Sequence, residues 1–204
     1  MKTMGEYDIL ANKDSIENTF EALEMNGIHP YLVKNKEEAT EKILNLIPNH
    51  QEIMNMTSVS LAEMGIDKMI NTSTDYISIR RLMNNEKITK IEKKRLGTAQ
   101  EWAIGSVHAI TEKGQILIAS ATGSQLPSYS YGANNLILVV GTQKIVKDIN
   151  EGFERINEYV FPLENARAME VYGVGSGINK ILIINKEVIA GRIHIIFVEE
   201  KLGF

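Results

Sequence analysis

Leu136, Ile137, Leu138, Val139 and Val140 form an unbroken apolar run. Successive strand residues point to opposite faces, so such a run needs apolar cover on both sides, as in a parallel sheet flanked by helices. Residues 180–185 and 193–198 supply two more strands with apolar residues on both faces, and residues 28–33 and 53–56 are shorter β-rich runs. Helical spacing alternates with them: Ile16, Phe20 and Leu23; Ala39, Ile43, Leu46 and Ile47; Leu61, Met64 and Ile66. This alternation predicts a three-layer α/β sandwich with a mixed, mainly parallel sheet.

Local signals place the ends of these elements. Asp14 with Glu17 three residues on reads as an N-cap, Asn35 caps a second helix, and Ser58 or Ser60 a third. Thr142 is expected to cap a helix carrying Ile145, Ile149, Phe153, Ile156 and Val160. Two β runs, 103–111 and 115–122, are joined through Glu112, Lys113 and Gly114, which predicts a hairpin. Residues 71–96 are mostly helical by pattern, with 75–82 open between strand and helix. One domain is expected over 1–204, with 1–27 as an N-terminal helical extension.

Composition excludes several classes of function. The 204 residues include no cysteine, which rules out disulfides, thiolate nucleophiles and an iron–sulfur cluster held by this chain alone. Any redox metal would therefore sit on a partner, and His29 and His50 show no ligand spacing, so no metal site is expected. A net charge of −4 argues against nucleic acid, and the basic stretch 87–96 reads as a solvated helix face. Residues 1–6 lack the apolar core of a signal peptide, and no apolar run approaches the roughly 18 residues of a membrane span, so the cytoplasm is the expected location.

Ala109, Ile110, Thr111, Glu112, Lys113 and Gly114, then Thr122 and Gly123, then residues 136–148, then Gly191, Arg192, Ile193 and His194 onward to 203 together resemble the LUD (lactate-utilisation) domain family. The resemblance continues weakly through 60–66. It implies the α/β fold of the phosphosugar-isomerase and CoA-transferase superfamily, with a pocket at the strand ends. It also implies a place in the oxidation of lactate or another 2-hydroxy acid, beside iron–sulfur or flavin partner subunits. Residues 53–58 lack the glycine-rich turn usual there in the family.

The candidate site residues each carry two readings. In the CoA transferases of that superfamily a strand-end glutamate is the nucleophile, which makes Glu112 a candidate nucleophile or base; the alternative is a solvated turn acid. His108 and His194, in expected strands, suit acid–base work or structural hydrogen bonding. Gly105 and Ser106, with Thr122, Gly123 and Ser124, offer backbone N–H groups and hydroxyls to a carboxylate or phosphate, or make ordinary turns. Gly175, Ser176 and Gly177 fit neither a dinucleotide fingerprint nor a P-loop; they form a loop over a pocket or a plain connector. Gln143 and Lys144, in the expected first turn of the helix after residue 140, would favour an anion, unless Lys144 is merely exposed. Arg192 either clamps a substrate anion bidentately or holds an internal acid. Ser128, Tyr129 and Tyr131 suit a homo-oligomeric contact or internal packing. No Ser-His-Asp order or Gly-x-Ser-x-Gly elbow accompanies these serines, so a hydrolase has little support. The expected function is a small-anion-binding subunit of 2-hydroxy-acid utilisation. The alternatives are a stand-alone CoA-transferase-like or isomerase-like enzyme and a ligand-sensing or scaffold protein.

Overall fold

The computed structural model describes residues 4–204. The apolar run becomes β7 (Asn135–Gly141), the third strand of a six-stranded sheet. Its neighbours are β10 (Ile193–Val198) and β4 (Trp102–Gly105). Outside them lie β1 (His29–Val33) on one side, and β2 (Glu52–Asn55) then β3 (Ile77–Ser78) on the other. Every pairing in this sheet is parallel. Alternate residues of β7 enter two different cores, as its composition requires. Ile137 and Val139 pack with Ala39 and Ile43 of α2 (Lys36–Leu46), Leu61 of α3 (Val59–Met64), and Ile66 and Ile70 of α4 (Ile66–Thr72). Leu136, Leu138 and Val140 pack against Ile16 and Leu23 of α1 (Lys13–Met25).

The same second core also takes in Ile110 of β5 (Ala109–Thr111) and Ile116 and Ile118 of β6 (Ile116–Ser120). These strands form the expected hairpin around Gly114, whose φ of 74° suits a glycine turn. They belong to a separate four-stranded sheet with β8 (Ile145–Val146) and β9 (Lys180–Ile184) at its edges. β5 pairs with β8 in parallel and with β6 antiparallel, and β6 pairs antiparallel with β9. The three-layer α/β fold is as expected, with its parallel and antiparallel pairings divided between two sheets. The run 103–111 is thus not one strand: β4 lies in the large sheet, β5 in the small one, and residues 106–108 cross between them.

Several boundaries differ from expectation. The side chain that caps α1 is Asn12, which accepts from Ser15 N–H at 2.9 Å, and not Asp14. α1 contributes directly to the core; residues 1–3 of the expected extension lie outside the described residues. The helix expected from Thr142 begins later, because Ile145 and Val146 are drawn into the small sheet beside β5. Asp148 caps α7 (Ile149–Arg155) by accepting from the N–H groups of Asn150 and Glu151. A wider π turn over Ile156–Val160 leads into α8 (Phe161–Tyr172), which closes on Gly173 at φ 70°. The open segment 75–82 contains both β3 and the start of α5 (Ile79–Met83), followed by α6 (Lys90–Leu96) with a Thr89–Glu92 capping box.

Leu138 is fully buried on β7, whereas Ile91 on α6 is 57% exposed. Leu138→Ala should cost about 3 kcal/mol in urea unfolding, through lost transfer energy and a residual cavity. Ile91→Ala should stay within about 0.5 kcal/mol.

Candidate functional site

A cavity of about 1070 Å³ opens at the carboxyl ends of β2, β4 and β7, where open α/β sheets bind ligands. Asn55 ends β2, Ser106 follows β4, and Lys144 closes the tight 3-10 turn that follows β7. Ser60 enters from α3, Arg80 from α5, and Glu164 and Arg167 from α8.

Lys144 forms the floor, with only 2% of its surface exposed. Its Nζ donates to Ser60 Oγ at 3.1 Å, Ser106 Oγ at 3.2 Å and the Val107 carbonyl at 3.2 Å. The sheet directs it there: β7 is anchored in the core, and the turn after it folds inward. Gly141 permits that turn, because a Cβ there would lie 2.1 Å from Gln143 Oε1. Ser60 Oγ also lies 3.2 Å from both Ser106 Oγ and the Leu202 carbonyl. Gly203, at φ 61°, passes so close that a Cβ would meet Ser60 Oγ at 2.5 Å. Burial, reinforced by Arg155, pulls the Lys144 pKa down to about 7, while Glu63 opposes the shift.

His108 lines the wall of the cavity. Its Nδ1 accepts the Ala119 N–H at 3.0 Å, which assigns the ring proton of the neutral form to Nε2. Burial, with Lys144 and Arg155 adding like charge, lowers its pKa to about 3, so the imidazole is neutral at pH 7. Arg155 is fully buried, donates to the His108 carbonyl at 2.6 Å and stacks 5.0 Å from the Tyr159 ring centroid. Tyr129 donates to the Ser106 carbonyl at 3.3 Å. Gly105 makes room for it, since a Cβ there would sit 1.6 Å from the phenol oxygen. Asn55 is 4% exposed and lines the cavity, yet its buried Oδ1 accepts no hydrogen bond among the described residues.

The structure brings together part of the expected set. Ser106, His108, Thr122, Ser124, Lys144, Gly175, Ser176 and Gly177 all line the cavity. Lys144 stands in a turn rather than in the expected helix, because α7 starts only at Ile149. Gly123 donates its N–H to Ser120 Oγ, and Ser176 donates its N–H to Asn165 Oδ1, so both loops are also internally held. Gly105 serves Tyr129 rather than a ligand. Gln143 faces the C-terminal segment, donating to the Leu202 carbonyl at 3.1 Å and to that of Gly203 at 3.3 Å.

Glu112, His194 and Arg192 lie elsewhere. Glu112 borders a separate depression beside α1 and accepts from Ser15 Oγ at 2.6 Å. His194 sits near the amino end of β10, against Tyr31 and His29. Arg192 holds an internal acid, donating to Glu187 at 2.6 Å and to the carbonyls of Ala133, Ser128 and Tyr129. Arg192 is 4% exposed, and its guanidinium is already occupied. Tyr129 is likewise buried, whereas Tyr131 is exposed. The sequence reading missed Ser60, Asn55 and Arg80 as cavity residues; only the position of Asn55 at the end of a β-rich run pointed to the strand-end pocket.

The family model for the LUD domain matches residues 16–198. No curated protein matches the chain. Among solved structures, a DUF162 family protein from Deinococcus radiodurans superposes with a TM-score of 0.58 at 12% identity, covering 93% of this chain and 99% of that one. At that identity the likeness bears on the fold alone.

The buried base groups give stability a defined pH dependence. Between about 7 and the ordinary lysine value of 10.5, the unfolded chain holds a proton on Lys144 that the folded chain lacks. Lys144 therefore makes stability rise with pH across that window, by an amount on the order of a few kcal/mol. His108 acts likewise between about 3 and 6.5, so its contribution is lost as pH falls below 6.5. In urea titrations, Lys144→Met should flatten the profile above pH 7, and His108→Gln should flatten it between pH 4 and 6.5.

Proposed function

The chain belongs to the LUD domain family, and from that premise we propose that the cavity binds a small anionic metabolite, a carboxylic acid of the 2-hydroxy class to which lactate belongs. The observation that carries this reading is a pair of cavity cations without counter-ions. Arg80 and Lys144 both line the cavity, and neither has a carboxylate within ion-pair distance among the described residues. Arg167, by contrast, is held bidentately by Glu164 at 2.7 Å. A desolvated cation without a partner is costly, and a ligand carboxylate would supply the missing charge.

Arg80 is fixed for that task. Its Nη2 donates to the Asn55 carbonyl at 2.8 Å, while Nε and Nη1 make no hydrogen bond among the described residues. That leaves a guanidinium edge for a carboxylate. Ser58, also in the lining, offers a partner for a 2-hydroxyl. The volume of about 1070 Å³ lies just above the ~300–1,000 Å³ usual for ligand pockets, which favours an acid carrying a larger appendage over a three-carbon acid alone. The chain has no cysteine, so oxidation of such an acid would route electrons through flavin- or iron–sulfur-bearing partner subunits. The CoA-transferase-like reading is disfavoured because Glu112 lies outside this cavity.

Calorimetric titration with lactate, longer 2-hydroxy acids and inorganic phosphate tests the proposal. Expected is binding of an acid that weakens at least about tenfold in Arg80→Ala, the loss of one charge-assisted contact. Affinity should also fall from pH 6 to pH 8.5, because an anion favours charged Lys144 and binding then takes up a proton. Silence across the panel, or equal affinity in the variant, counts against the reading.

A further inference from the structure

We propose that Ser106, Lys144 and Ser60 form a serine–lysine acyl-transfer centre on the cavity floor, with Ser106 as nucleophile, Lys144 as proton carrier and Ser60 as a positioning residue. The substrate class is an ester whose acyl part carries an anionic group. This rests on the reading of the cavity as an acid-binding site and says what that site does.

The assignment follows from a count of protons. A charged Lys144 has three N–H groups for Ser60 Oγ, Ser106 Oγ and the Val107 carbonyl. A neutral Lys144 has two N–H groups and a lone pair, so one contact must reverse. A carbonyl cannot donate; a serine must. Ser60 has another acceptor for its hydroxyl, the Leu202 carbonyl at 3.2 Å, which leaves Ser106 to donate to the amine. That is the hydrogen bond that activates a serine.

Exposure points the same way. Ser60 and Lys144 are each 2% exposed, while Ser106 is half-buried and faces the cavity, so an incoming carbonyl meets Ser106 first. Tyr129 pins the Ser106 carbonyl, which limits the drift of the nucleophile. Asn55 pairs in register with Ile104, two residues before Ser106, and lines the same cavity with its buried Oδ1 lacking a donor among the described residues. A nucleophile paired with lysine needs neither a histidine nor a strand–elbow–helix setting.

The step balances without a redox partner. Ser106 Oγ bonds to the ester carbonyl carbon as its proton passes to Lys144 Nζ. The bond from that carbon to the ester oxygen then breaks, and Lys144 returns the proton to the departing alcohol. Water attacks the acyl-serine, its proton passing through Lys144 to Ser106 Oγ, and the acid is released.

The test is labelling of the full chain with a neutral fluorophosphonate, read by intact mass and peptide mapping. Expected is one adduct on Ser106, absent in Ser106→Ala and formed about 100-fold more slowly in Lys144→Met, the scale of a lost general base. Because the chain has no cysteine, Ser106→Cys creates a sole thiol and keeps the lysine in place. Its alkylation by iodoacetamide at pH 7 should be at least about tenfold faster folded than in urea, since a neighbouring cation raises the thiolate fraction. An adduct elsewhere, no adduct, or equal labelling in a Lys144→Met that melts cooperatively would overturn the centre. So would thiol alkylation that is no faster in the folded state. Labelling at Ser106 with no acid binding by calorimetry upholds the centre and removes only the anionic substrate. Acid binding with Ser106 inert removes the centre and leaves the binding reading standing.

Discussion

Apolar cover on both faces of β7 is the constraint from which the rest follows. The strand buries Leu136, Leu138 and Val140 on one side and Ile137 and Val139 on the other, so layers must form on both sides of the sheet. The chain cannot simply emerge into solvent after such a strand. Gly141 lets it turn at once, and Ile145 and Val146 join the small sheet. Lys144, lying between these two anchored segments, is held inside the protein by its own backbone. Its amine is then satisfied by Ser60, Ser106 and Val107 rather than by water.

Two sheets and a crossing segment account for the rest of the floor. Residues 106–108 leave the large sheet at β4 and enter the small one at β5. The crossing exposes Ser106 at the strand end and sets His108 in the wall, where Nδ1 is taken by Ala119 N–H. Burial, reinforced by neighbouring cations, keeps the imidazole neutral and the lysine close to neutrality. The floor is therefore polar and hydrogen-bonded but carries little fixed charge. Arg80, also in the lining, keeps Nε and Nη1 without hydrogen-bond partners among the described residues.

Much of the fold was legible because its signals are local. The apolar run of β7, the glycine turn at 114 and the Asn35 cap each specify their element within a few residues. The start of α7 was not, because Ile145 fits the four-residue spacing of a helix while tertiary pairing makes it a strand residue. The site was legible only in part. Ser106, His108 and Lys144 stand at strand ends that periodicity marks. Ser60, Asn55 and Arg80 owe their placement to how α3, β2 and α5 pack, which no local pattern encodes. Arg192 shows the converse: its chemistry suits an anion, but Glu187 and three carbonyls already satisfy it.

The hydrogen bonds of the floor also tie its existence to the completion of folding. Ser60 meets Ser106 across 46 residues, Lys144 across 84 and Leu202 across 142. Contacts of such span close late, because the entropy of each loop must be met before the contact can form. The small sheet on its own lacks the cluster, because the ends of β2, β4, β7 and β10 that lead to Ser60, Ser106, Lys144 and Leu202 are brought side by side by the large one. The floor behaves as a checkpoint on assembly, present only in molecules whose first helices, central strands and last residues have all found one another.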